Sequence, residues 1–442
     1  MKKILAMLMV IIIMSTVMMG CSKKETENEG VDQTPSETND QDGDALDKPL
    51  EKEEVTLTFF HHMSEEAKRL GIEKLAAAFS ERNPEVTFDI QAMDFGQYAS
   101  TLKTKIAADD APDIMFGRPK GYSDLVQAGH IMELSGNDYI NHMQDSALPA
   151  LTVDGGVYGI VLDVTAMGTF YNKDIFAAHG LEVPTTFDEL MHIAKTLDAA
   201  GITAFSRGYK DAWTAQVEHN AFNHGEMFGL YPNWMQEITE GTKKFSDYPE
   251  FTSTLQAWAD TLPYSNDDIF GTDYSKSIEL FATGQAAMFS QGMWALGEIR
   301  KIAPDINIGF MAPPATNQAD LVKLSAFGDD GFMMSASTKH PEYVNAFFDF
   351  VLSSEGATIW SDTAGQVSFM KDSGVTYTDP AILEFISYIE EGKTVGQEDG
   401  PFLAGQMDAT YREYQELFAA KGDKEVESFV SDLDAEFDAI RD

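Results

Sequence analysis

The chain has a single cysteine, Cys21, in 442 residues. One thiol excludes an internal disulfide and any zinc site built from several thiolates. Positive charge is scarce as well: 31 lysines and arginines face 72 acids, a formal net charge of −41. A surface this acidic repels phosphate backbones, which excludes nucleic acid as a partner, and it disfavours lying flat on anionic lipid. No G-x-S-x-G, G-x-G-x-x-G or H-E-x-x-H occurs, so the serine-hydrolase elbow, the dinucleotide loop and the zinc-protease helix are missing. Gly392-Lys393-Thr394 ends like a phosphate loop, but Ser387 stands where its first glycine belongs. His219 and His224 are five apart, off a common helical face, and the neighbours His61 and His62 point to opposite sides of a strand. No metal and no cofactor is therefore expected. Nothing marks a glycosidase pair among the acids.

What is present begins with a leader. Lys2 and Lys3 precede an apolar run from Ile4 to Met14, and Gly20 stands directly before Cys21. This is the layout of a signal peptide over 1–20, too short for a comfortable membrane span. A small residue followed by cysteine resembles the lipobox of bacterial lipoproteins, which implies that Cys21 carries a lipid anchor. Two or more acyl chains hold a protein stably on a membrane. Residues 21–54 then form an acidic tether: from Ser22 to Glu54, twelve acids accompany four lysines and almost nothing apolar. Such a segment is expected to be disordered. Asp40, Asp42, Asp44 and Glu51 have calcium-loop spacing, but Ala45 occupies the glycine position.

The body, 55–442, alternates strand and helix signals. Val55 to Phe60 reads as a strand, Ser64-Glu65-Glu66 as a helix start and Pro84 as its stop. Strands are expected at Val86–Met93 and Pro112–Phe116, with a helix from Gln97 to Ala108 between them. Thr186 to Glu189 is a capping box, Gln285–Phe289 a strand, Tyr343–Leu352 and the C-terminal segment amphipathic helices. The alternation implies an α/β fold with parallel pairing.

Several segments together resemble the bacterial extracellular solute-binding proteins of the maltodextrin-receptor type. They include VTLTFFHH from Val55, FSERNPEVTFDIQAM from Phe79, APDIMFG from Ala111 and LVQAGHIMEL from Leu125. The stretch Gly155 to Leu190, LFATGQAAMFSQGMWAL from Leu280 and DDGFMMSASTKHPE from Asp329 continue the series. The resemblance implies two α/β lobes joined by hinge crossovers around a central cleft. Lobe 1 is expected at 55–163 plus 313–351, lobe 2 at 164–312 plus 352–442, with crossings near Asp163, Pro313 and Leu352.

A sugar has C–H faces and hydroxyl rims, so its receptor needs flat aromatics and planar polar groups. The resemblance implies that Trp294 stacks on the ligand, beside Gln291 and Gly292 at a strand end. Ligands in open α/β sheets lie beyond the carboxyl ends of strands. That rule adds His61, His62, Gly117 and Arg118. Asp163 is expected to reach the ligand from the first crossover, Trp213 to give a second platform, and Asp329 and Asp330 to line a turn where Gly331 lets the backbone come close.

The expected function is a non-enzymatic, monomeric receptor on the outer face of the cell membrane. It captures a sugar or oligosaccharide and hands it to the permease of an ABC importer. The alternatives are the same fold serving a polyamine or other non-sugar solute, a surface glycan hydrolase, and an adhesin-like structural lipoprotein.

Overall fold

The structure, a computed structural model, describes residues 54–396, 403, 405–421 and 426–441. The expected leader, Cys21 and the tether through residue 53 lie outside the described residues. Among the described residues no helix is long and apolar enough to cross a membrane.

Two sheets organise the chain into an α/β fold. The first is centred on the strand Val55–His61, which pairs parallel with Val86–Ala92 on one side and Ile114–Phe116 on the other. The helix Glu66–Arg82 between the first two strands buries Ile72, Leu75 and Phe79, a helical stripe facing the core. It ends at Arg82, as Pro84 requires. Gly331–Met334 and Ile160–Val161 complete this sheet, both antiparallel.

The second sheet is built on Asp163–Asn172, a strand with every residue buried. It pairs antiparallel with Ala286–Gly292, Ile308–Met311, Leu324–Gly328 and Val367–Ser368. The parallel pairing read from the sequence holds in the first sheet and at the edges of the second, where Thr203–Phe205 and Thr394–Gly396 lie. It fails around the central strand. The helix Trp213–Leu230 packs on this sheet and is buried almost all round.

Two expected crossings move. Pro313 lies in the connection between Ile308–Met311 and Leu324–Gly328, both of the second sheet, so the passage back to the first sheet falls at Asp329–Asp330. The helix Ser354–Ala364 packs on Glu66–Arg82 of the first sheet, so the last passage comes after Ala364 rather than at Leu352. Proline marked stiffness, not the crossing itself. The expected Ser64 cap is also replaced. Glu65 occupies the cap position without a side-chain bond, while Glu298, 232 residues on, accepts the Glu66 N–H at 2.6 Å and the Ala67 N–H at 3.2 Å. The Thr186–Glu189 capping box forms as read.

Inside the buried helix, a Cβ on Gly225 would stand 2.4 Å from the Lys323 carbonyl oxygen. Gly to Ala in an exposed helix interior gains up to about 1 kcal/mol. Here overpacking reverses the sign, and Gly225→Ala should lose about 1–3 kcal/mol. Thermal denaturation checks this; a raised Tm would contradict the close approach.

Candidate ligand-binding cleft

The three passages between the sheets run side by side. Leu162 N–H donates to Asp330 O at 2.8 Å, Asp329 N–H to Asp163 O at 3.2 Å and Phe369 N–H to Leu162 O at 3.0 Å. Asp163 is fully buried here and accepts from Asp330 N–H at 3.0 Å and Trp360 Nε1–H at 2.7 Å. Carboxylate oxygens of Asp163, Asp329 and Asp330 lie within 4.8 Å of one another. Two buried acids beside a partly buried third need buried positive charge. Lys68, on the first-sheet helix, supplies it from 2.7 Å to Asp330 and 3.0 Å to Asp329. Arg118 donates to the Gly328 carbonyl and lies over the Phe327 ring at 5.5 Å.

Burial and the adjacent Asp163 charge push the Asp330 carboxyl well above its ordinary range. Burial also raises Asp163, against the pull of Lys68. The Asp163 charge disfavours a second negative charge on Asp330 beside it. For Asp329, burial is outweighed by Lys68 and Arg118, which hold the group ionised below its usual range. Burial likewise disfavours the Lys68 ammonium, but Asp329, Asp330 and Asp163 overcome it and raise its pKa. Asp329 thus faces Lys68 and Arg118 as an ionised carboxylate.

The walls carry aromatic rings. His62 meets Phe95, Tyr98 and Phe116 at 4.9, 5.0 and 4.6 Å between centroids. His61 turns the other way, 2% exposed, its Nδ1 accepting the Met63 N–H at 3.2 Å. Burial lowers both imidazoles to about 4, so both are neutral at pH 7. Gly117 has φ 141° and a Cβ there would lie 2.6 Å from the Tyr122 ring, so only glycine fits this strand end.

From the second lobe, Trp294 is 9% exposed and its indole covers Gly292, where a Cβ would fall 2.1 Å from the ring. Gln291 is enclosed, its Oε1 accepting the Gly292 N–H at 3.1 Å. Trp213, half-buried, stands edge-on to Tyr274 at 4.8 Å. The Tyr274 hydroxyl faces Glu65 of the first lobe and Trp294 of the second.

The residues singled out in the sequence have different surroundings. Asp163, Asp329 and Asp330 cluster at the passages between the sheets with Arg118 beside Gly328, His62 lies among the rings of Phe95, Tyr98 and Phe116, and Trp213 and Trp294 border Tyr274. Gly117 and Gly292 admit close neighbours. Asp163, Gln291 and His61 are enclosed, with polar atoms engaged by the protein itself. Lys68, Trp360, Glu298 and Tyr274 were not read from the sequence. Lys68 had a signal: it stands one turn before Ile72, a lysine on the apolar face of its helix.

Because the folded pKa of Asp330 is raised, its contribution to stability is fully present below the unfolded carboxyl value and is lost as pH rises through the folded one. Stability should fall with rising pH over that range, and Asp330→Asn, which mimics the protonated form, should flatten the slope. Asp163→Asn puts an amide NH2 where one of the two accepting oxygens stood, so one of the two buried donors loses its acceptor, and the variant should lose about 1–3 kcal/mol. Urea melts of both variants between pH 4 and 9 test this; equal losses at every pH would refute the raised Asp330 carboxyl.

The sequence profile of the bacterial extracellular solute-binding protein family matches residues 64–358. The Multiple sugar-binding protein of Streptococcus mutans serotype c is 25% identical over 331 residues, which cover 71% of this chain and 75% of that protein. The solute-binding protein RafE in complex with raffinose has a TM-score of 0.76 at 24% identity, covering 88% of this chain and 100% of that one. A sugar transporter from Bacillus licheniformis in complex with stachyose gives 0.72 at 20% identity, over 86% and 99%. The same two-lobed fold thus recurs along almost the whole body. With the profile match spanning both sheets and the hinge between them, this chain belongs to the bacterial extracellular solute-binding proteins.

Proposed function

We propose that the chain is the substrate-binding protein of an ABC importer, capturing a sugar or oligosaccharide between its lobes and delivering it to a membrane permease. The observation that carries this reading is the pairing of an internally charge-matched floor with aromatic walls. A charged guest is held by a charge that the protein leaves unmatched. Here Lys68 is already paired with the carboxylates and Arg118 donates to the Gly328 carbonyl beside them, while Trp213, Trp294 and His62 offer ring surface. That combination suits an uncharged molecule with C–H faces. The names of the relatives point the same way: one is a multiple sugar-binding protein, and the two structures hold raffinose and stachyose.

The chain acts by closure, not by catalysis. Lobe 1 comprises the first sheet with its helices, including Ser354–Ala364, and lobe 2 the second. Ligand favours the closed form only by the difference in its affinity for the two forms. Lipid on Cys21 and the acidic tether to Glu54 keep the monomeric receptor on the outer membrane face near its permease. A glycan hydrolase would release product from polysaccharide, and such release by purified protein would overturn the receptor reading.

In a thermal-shift screen over mono- and oligosaccharides, one class should stabilise the body, by about 2.7 kcal/mol at one hundred times Kd. Shifts with polyamines alone would move the ligand to the non-sugar class. Trp294→Ala should weaken that saccharide at least about tenfold, ~1.4 kcal/mol, in titration calorimetry; unchanged affinity would remove Trp294 from the site. Cys21→Ala should shift the protein from the membrane fraction to the medium, and continued membrane retention would argue against the anchor.

A further inference from the structure

The helix Gly405–Lys421 lies beyond the matched family segment, 64–358, and packs along Trp213–Leu230 of the second lobe. Asp408 and Arg412 stand one turn apart on one face of it and form an ion pair, with side chains 17% and 23% exposed. Gln216 ties both to the neighbouring helix. Its Nε2–H donates to Asp408 at 3.1 Å, and its Oε1 accepts from Arg412 Nε at 3.2 Å. Gln216 follows Trp213 by three residues, so the two share a face of their helix.

Arg412 also reaches the other lobe. Its guanidinium lies over the Phe95 ring, 5.4 Å from the centroid. Phe95 opens the first-lobe helix Phe95–Ala107, is 42% exposed and meets His62 edge-on at 4.9 Å. A continuous line of contacts therefore runs from Gln216, beside Trp213 in one wall, through Arg412 and Phe95 to His62 in the other. It bridges the lobes without using the hinge strands.

We infer that Phe95 and Arg412 form an end wall of the cleft and set the length of saccharide it accepts. This inference rests on the carbohydrate reading above. A short saccharide lies inside the wall with the guanidinium–ring contact intact. A longer one must pass between the two side chains and separate them, losing that contact and stripping Arg412 from a face it already covers. Each lobe contributes one half, so truncating either opens the same gap. Asp408 and Gln216 keep the guanidinium in place and are positioning residues.

Titration calorimetry on the full body tests this with a graded maltooligosaccharide series, raffinose and stachyose. The proteins are wild type, Phe95→Ala, Arg412→Ala and the double variant. Wild-type affinity should drop at least tenfold beyond a limiting length within the series that binds. Either single variant should restore the longer ligand at least fivefold relative to the shorter one. The double variant should add no more than twofold, because both changes remove one wall. Phe95 is an exposed ring on the surface of its lobe, so that variant reports even where Arg412→Ala folds poorly. Long-to-short ratios unchanged within twofold, fully multiplicative single effects, or wild-type binding indifferent to length would overturn the wall alone. Absence of saccharide binding in every protein would overturn the carbohydrate reading, and the wall with it.

Discussion

The ammonium group of Lys68, enclosed among three carboxylates, is the constraint on which the arrangement of the two lobes depends. It sits 2.7 Å from Asp330 and 3.0 Å from Asp329, and it is 3% exposed. Without it, neither acid could be enclosed at the crossovers. The lysine belongs to the first lobe's helix, whereas the acids belong to the strands that join the lobes. Charge matching therefore fixes where that helix stands against the hinge. The raised Asp330 carboxyl follows from the same constraint, since burial and the Asp163 charge both disfavour a further negative charge there. Trp360 closes the other side of Asp163, which is why this acid faces inward.

The same logic recurs at the start of that helix. Its first N–H groups find no capping side chain nearby and take the carboxylate of Glu298 from the second lobe. Orphan donors at a helix start attract an anion. Lys301, on the same short helix as Glu298, pairs with Glu66 at the same place. The lobes are thus joined behind the aromatic walls by charge–dipole and ion-pair contacts that depend on their relative angle. Opening breaks contacts of this kind and leaves their polar groups to water. Their net cost is small, so the closed form needs only a modest differential from a ligand to dominate.

How far the sequence reveals this follows the range of each interaction. The strand Val55–His61, the helix stop before Pro84 and the Thr186–Glu189 box are set by neighbours within a few residues, and they were legible. The site was legible where a strand end presents a side chain: His62, Arg118 and Trp294 all came from that rule or from the family resemblance. Asp163 was recognised as a crossover residue, but its enclosure depends on Trp360, 197 positions away. The Glu298 cap and the Lys68–Asp330 contact are equally remote along the chain. Pro313 misled because a proline reports local stiffness, while the crossing is decided by which strand Leu324–Gly328 pairs with. No periodicity encodes that choice.

The second lobe shows why a polar helix can back a binding wall. Along Trp213–Leu230, Glu218, His219, Asn220, Asn223 and His224 are all buried. Arg207, at the end of the strand Thr203–Phe205, meets Glu218 with three contacts of 2.7–3.1 Å, and the Tyr209 hydroxyl donates to the same carboxylate. Thr261 and Ser265 take the remaining guanidinium donors. A buried network with its main donors matched fixes one arrangement more strictly than apolar packing, because a shifted register strands a charge. The helix start that carries Trp213 and Gln216 is thereby held against its sheet. Rigidity on this side and a charge-matched hinge on the other leave the relative angle of the lobes as the coordinate along which ligand can act. The chain's net charge of −41 has no direct hold on an uncharged guest. Its long-range field governs solubility and repulsion from phosphate-bearing surfaces, while the saccharide capture proposed above would be decided at short range.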